Sequence, residues 1–372
     1  MNKSVIKGCF VVLGLILLVS VSQAQSMQYQ PDKPGKFVFN NQQGKCPGVD
    51  VTTFKNNLTA IVEWVRLNDS VLGYPTGFDA VVGLSAYCFD ERSKMEDYGI
   101  RGSIGISFHH FYTENGVSHT ATGWSAHGTE IIINNPMYYI STQFDEAEFK
   151  TDDPPHLKQP LEKARENLRK YYTTAPVIKE IAPGVRLYAS DAGTWFKGSL
   201  LIFNPERPEI WIPVTVKEIM ETKLAYYKVK HEIDSINYEK MVAGWAKMNF
   251  NPDPDHTMKP RLYQVIKQEY ENFTAEELKL PAYSCPAEEC GISTINARGE
   301  GRAVVKFNPA CWDRSLPVTT VQYMSWDYRP ATLQELEAFI EPNQGLSDFV
   351  GLFFNNLPIE KLGVLIYKNK QK

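Results

Sequence analysis

Two hydrophobic periods alternate along the chain, and the points where one gives way to the other mark its elements. Phe54, Leu58, Ile61, Val62 and Val65 recur at the spacing of one helical face, which predicts an amphipathic helix with Asp50 or Thr53 placed to cap it. The run Gly73-Tyr74-Pro75-Thr76-Gly77 stops any continuation. Residues 80–89, 100–113, 117–124 and 129–134 then read as strands. Asn115-Gly116 stands between two of them, and a tight primed turn needs positive φ at both central positions, which this dipeptide tolerates. That turn sets the register: Glu114 faces Val117, Tyr112 faces His119, and His110 faces Ala121.

Residues 152–155 form an acidic, proline-bearing joint, where a domain boundary is expected. Beyond it Leu157, Leu161, Ala164, Leu168 and Tyr171 lie on one helical stripe, followed by strands at 185–189, 198–203 and 210–212. Thr215-Val216-Lys217-Glu218 is a capping box, with Val214 and Ile219 as its hydrophobic staple. The helix it starts extends to about Trp245, with a break expected around Asp234 to Asn237. Prolines make 251–260 a loop. The staple and box recur at 273–278 and the box alone at Thr332 to Glu335, and further strands are expected at 303–307, 321–324 and 364–367. The implied class is α+β, antiparallel sheets packed on amphipathic helices, in two domains spanning 37–151 and 156–372. A short likeness between 100–108 and 196–203 is better explained by two apolar strands than by duplication, since the lengths between matching features differ.

The N-terminus adds an address. Lys3 and Lys7 precede an apolar run from Phe10 to Val19, then Ser22-Gln23-Ala24, the layout of an export signal cleaved after Ala24. Residues 25–36, rich in Gln, Pro and Gly, read as a flexible leader. The run is shorter than the roughly 20 apolar residues that cross a bilayer, and no later segment reaches that length without charges. The expectation is a secreted or periplasmic protein with no membrane span in the mature chain.

Composition narrows the classes further. With 43% apolar and 22% charged residues the chain is built to fold. Its net charge of −4, made more acidic by loss of the two leader lysines, lacks the basic stripe that nucleic-acid binding requires; no nucleic-acid partner is expected. Of six cysteines, Cys9 lies in the leader. Cys46, Cys88, Cys285, Cys290 and Cys311 remain, so one stays free within the chain, with Cys46–Cys88 and Cys285–Cys290 the expected disulfides and Cys311 competing for either member of the second pair.

Candidate chemistry centres on histidines. In the predicted register His110 and His119 are diagonal neighbours, and His127, Glu130 or Asp90 are candidates to complete a binding or metal site. No HExxH-type spacing supports metal, and neither metal nor cofactor is expected. Ser125, in Gly123-Trp124-Ser125-Ala126-His127-Gly128, does not sit in a G-x-S-x-G elbow. The pattern therefore implies an exported protein that binds an extracytoplasmic ligand or partner through a sheet face or a cleft. A hydrolase or metal-dependent enzyme built on the hairpin histidines is the alternative.

Overall fold

The five apolar positions that predict the first helix are the five that it buries. A computed structural model describes residues 28–40, 51–87, 99–122, 127–144, 148–189, 197–248, 261–285, 294–332 and 349–366. In it, helix α1 (Val51–Asn68) buries Phe54, Leu58, Ile61, Val62 and Val65, each contributing about 1.5–3 kcal/mol by removal from water. Thr53 lies inside α1 rather than at its cap, and Asp50 lies outside the described residues. The helix stops at Asp69, whose carboxylate accepts from Leu72 N at 2.8 Å and so caps the short helix α2 (Ser70–Gly73).

The described residues divide into two compact units that interleave along the chain. The first takes 28–87, 102–131 and 328–359 where these are described, and the second takes the rest.

In the first unit, β2 (Phe37–Asn40) pairs in parallel with β3 (Phe78–Tyr87), and the sheet continues through β4 (Arg101–Glu114) to β6 (His127–Ile133). The far end of β4 carries β1 (Gln28–Tyr29) and β5 (Val117–Thr120), both antiparallel to it. Part of the segment read as a flexible leader is thus a strand: Gln30 N donates to Phe111 O at 3.0 Å and Gly35 N to Pro75 O at 2.9 Å. Along β4 the even positions Gly102, Ile104, Ile106, Phe108 and His110 are all buried. Gly102 has to be glycine, because a Cβ there would stand 2.7 Å from the Phe54 ring of α1 and 2.4 Å from Ser85 O. The other end of the same face is covered by the helix Phe349–Asn356, which the sequence pattern did not reveal. Phe349 meets Phe78 and Phe108 at 4.5 and 6.1 Å between ring centres, and Phe353 meets Phe108 at 6.1 Å.

The second unit holds a six-stranded sheet and part of another. β7 (Ser141–Gln143) and β8 (Tyr171–Thr174) continue into β15 (Arg302–Phe307), β13 (Tyr283–Cys285) and β14 (Thr294–Asn296), with β12 (Trp211–Pro213) on the side of β15. Separately, β9 (Val177–Ala182), β10 (Val185–Tyr188) and β11 (Gly198–Phe203) form an antiparallel meander that continues to β16 (Tyr323–Tyr328). All six residues of β11 are buried, as a near-continuous apolar strand requires.

Helices α3 (Lys158–Leu168), α4 (Val216–Lys247) and α5 (Leu262–Glu271) share one core with the six-stranded sheet, built from Leu161, Leu168, Ile219, Met220, Tyr226, Ile266 and Val304. Three expectations are corrected here. Tyr171 starts β8 instead of ending the α3 stripe. The break expected at Asp234 to Asn237 is absent, since Lys230 pairs with Asp234 and Ser235 Oγ donates to His231 O at 2.7 Å. Asn237 also donates to the buried Asp153 at 2.7 Å. The strand expected at 364–367 is replaced, over its described residues, by a 3-10 turn, Ile359–Leu365, that buries Leu362.

Asn134 organises a second point of this unit. It is fully buried with φ of 56°, a conformation that Asn tolerates better than most residues. Its side chain donates to Ile100 O and Thr320 O at 2.8 and 2.9 Å and accepts from Gln322 N and Tyr323 N at 2.8 and 3.3 Å.

Candidate functional site

The hairpin forms in the expected register. Tyr112 pairs with His119 and Glu114 with Val117, Ala121 N donates to His110 O at 2.9 Å, and Asn115 and Gly116 take φ of 53° and 75°. Tyr112 lies against both imidazoles: it stacks on His119 at 5.3 Å and 23°, and meets His110 at 5.9 Å. His110 is 7% exposed and takes Tyr29 edge-on at 6.5 Å, so it belongs to the aromatic packing of this sheet face. His109, on the opposite face, has its pKa lowered by burial, with Asp79 pulling the other way. The side chain of His127, like Asp90 and Ser125, lies outside the described residues. Among the described residues no three His, Cys, Asp or Glu side chains gather closely enough to hold a metal ion.

Of the cysteines, Cys311 is buried and free, and burial raises its thiol to about 11. Cys285 lies on β13, whereas Cys46, Cys88 and Cys290 are outside the described residues. The two expected pairings remain proposals.

A better-formed site lies in the second unit, at the head of α4. Register places Tyr171 of β8 directly opposite Lys306 of β15, so both side chains leave the same face of the sheet, toward the helices. Thr215 caps α4 by accepting from Glu218 N at 3.2 Å. In a complete capping box the Glu218 carboxylate would return to the cap backbone. Here Glu218 Oε1 instead accepts from Lys306 Nζ at 2.8 Å and from the Tyr171 hydroxyl at 3.1 Å. The box at Thr274 shows the contrast: Glu277 accepts from Thr274 N at 2.8 Å while Thr274 Oγ1 accepts from Glu277 N at 3.2 Å, although only a 3-10 turn follows.

One turn along α4, Thr222 Oγ1 donates to Glu218 O at 2.9 Å and stands 3.4 Å from the Tyr171 oxygen. Burial raises the Tyr171 pKa, and the neighbouring Glu218 carboxylate adds to that. The phenol therefore stays protonated at neutral pH and acts as a donor to Glu218. Tyr171, Glu218 and Thr222 line a cleft of about 390 Å³, whose wall also includes Asn167, Lys170, Lys217 and Glu221. That volume is at the lower end of small-molecule pockets, which run from roughly 300 to 1,000 Å³.

Sequence reasoning marked Glu218 as part of a cap but gave it no role beyond that, and it placed Tyr171 on a helix. Lys306, 88 residues away, carried no local signal at all. No known protein family matches the chain, and no curated protein or solved structure is similar to it at a significant level. No helix among the described residues is long and apolar enough to cross a membrane.

Proposed function

We propose that the chain is an exported binding protein, released after loss of residues 1–24, and that it holds a small polar ligand in the cleft at the head of α4. The observation that carries the reading is a cleft lined by Tyr171, Glu218 and Thr222 in which the Glu218 carboxylate is fixed by two strands at once, through the Tyr171 hydroxyl and Lys306. Groups held by an ion pair and by regular elements on both sides are pre-organised, which lowers the entropy that a ligand must overcome. The export pattern at the N-terminus supplies the expected compartment. The hairpin histidines are a weaker site, because Tyr112 packs against both rings.

The test is a thermal-stability screen against amino acids, dicarboxylates, sugars and polyamines, repeated with Glu218→Gln. A solute that binds at this cleft at a hundred times its Kd stabilises by about 2.7 kcal/mol. The expected result is a hit that Glu218→Gln abolishes and His119→Ala leaves unchanged. Hits that survive Glu218→Gln, or that vanish with His119→Ala, contradict the reading.

A further inference from the structure

The charges of the cleft define the ligand more narrowly. Its wall carries two lysines, Lys170 and Lys217, and two glutamates, Glu218 and Glu221, so it presents groups of both signs to a ligand. The four are not equally compensated. Glu218 is neutralised by Lys306 at 2.8 Å, while Glu221 has Lys217 only at 3.8 Å and the Tyr270 hydroxyl at 3.3 Å. Lys170 Nζ donates to the neutral Asn167 amide at 2.8 Å and has no carboxylate partner among the described residues. One wall position thus offers a cation and another a loosely held carboxylate.

The hydroxyl protons sharpen the acceptor side. The Tyr171 proton goes to Glu218 Oε1, and the Thr222 hydroxyl is within donating distance of the Glu218 carbonyl at 2.9 Å and of the Tyr171 oxygen at 3.4 Å. Both hydroxyl oxygens keep lone pairs with which to accept from an incoming N–H donor. We infer that the cleft takes a small zwitterion of the amino-acid or dipeptide type. Its ammonium group is received by Glu221 with the Tyr171 and Thr222 oxygens, and its carboxylate by Lys170. The inference rests on the binding role proposed above and names its ligand class.

The experiment is isothermal titration of the full chain with glycine and alanyl-alanine, alongside N-acetyl-alanyl-alanine, which lacks the ammonium group, and alanyl-alanine amide, which lacks the carboxylate. Binding of at least one free zwitterion is expected, with each blocked dipeptide weakened at least about tenfold, the scale of one lost charge-assisted contact. Glu221→Gln is expected to erase the discrimination against the acetylated form and Lys170→Met that against the amide. Both positions are exposed enough for folding to survive either change. Equal binding of blocked and free forms, or sensitivity to only one block, overturns the inference. If neither free zwitterion binds while another solute binds and is lost in Glu218→Gln, the inference falls and the binding role stands. If no solute binds at all, both fall.

Discussion

Replacing Asp69 with Asn isolates the electrostatic cost of one buried carboxyl. Asp69 is 2% exposed at the junction of α1 and α2. One oxygen caps Leu72 N at 2.8 Å, while the other is buried without a partner. Burial is the dominant influence and raises the group from 3.8 to about 6, against the lowering pull of the Leu72 and Val71 amides. Because the folded pKa lies above the unfolded one, the folded state holds the proton more tightly. Stability therefore falls as pH rises from about 4 to about 6, and the full penalty applies above that window. A shift of about two units is worth about 3 kcal/mol, a large share of a typical folding free energy. Asn is as good an N-cap as Asp and cannot ionise, so Asp69→Asn removes the penalty while keeping the cap.

Urea denaturation of the two proteins between pH 4 and pH 7.5 is the assay. The variant is expected to be more stable by up to about 3 kcal/mol at pH 7.5, with the gap closing steadily toward pH 4. Taking the difference at each pH cancels every other titrating group that the two proteins share. A gap that is constant with pH, or a variant less stable at pH 7.5, refutes the reasoning.

Asn134→Ala removes the partners of two buried carbonyls and two buried amides; a loss of at least about 3 kcal/mol is expected by denaturation, at roughly 1 kcal/mol or more per orphaned group. Phe353→Ala, which empties a fully buried position against Phe108 and Phe354, should cost about 3–5 kcal/mol in the same measurement. Cys311, buried with its thiol raised to about 11, should resist iodoacetamide at pH 8 in the native protein and react once unfolded, as read by peptide mass spectrometry; rapid native labelling would contradict its placement. Tyr171→Phe removes the donor to Glu218 Oε1 and one acceptor oxygen of the cleft but leaves the Glu218–Lys306 pair in place, so any ligand found for the cleft should bind it more weakly than wild type but better than Glu218→Gln; calorimetry reads that order, and the reverse order contradicts the geometry.

Local physics made parts of this fold legible. The α1 stripe names its own buried face because a helix covered on one side needs apolar residues at 3.6-residue spacing, and Asn115-Gly116 sets the hairpin register because few other pairs adopt two positive φ angles. The strand 198–203 is legible to the residue because six consecutive apolar or small residues leave no exposed face. Other elements were illegible for equally local reasons. Tyr171 continues the α3 stripe at helical spacing, yet pairing with Lys306 and neighbouring residues of β15 takes it into a sheet, a tertiary effect that outweighs periodicity. The helix Phe349–Asn356 buries Phe349, Val350, Gly351, Phe353 and Phe354, nearly all round, so it shows no stripe. The candidate site was hidden for the same reason. Glu218 looks like a cap in sequence, and only the fold reveals that Lys306 and Tyr171 draw its carboxylate away. The hairpin histidines stood out in sequence by clustering, but burial and Tyr112 absorb them into packing.

The most direct test of the binding role is a crystal structure of the protein soaked with whichever solute the stability screen selects. Ligand density is predicted in the cleft at the head of α4, within hydrogen-bond distance of Thr222 or Glu221 and beside the Tyr171–Glu218–Lys306 cluster. Density seated instead on the Tyr112 hairpin, with the α4 cleft holding only solvent, would contradict it.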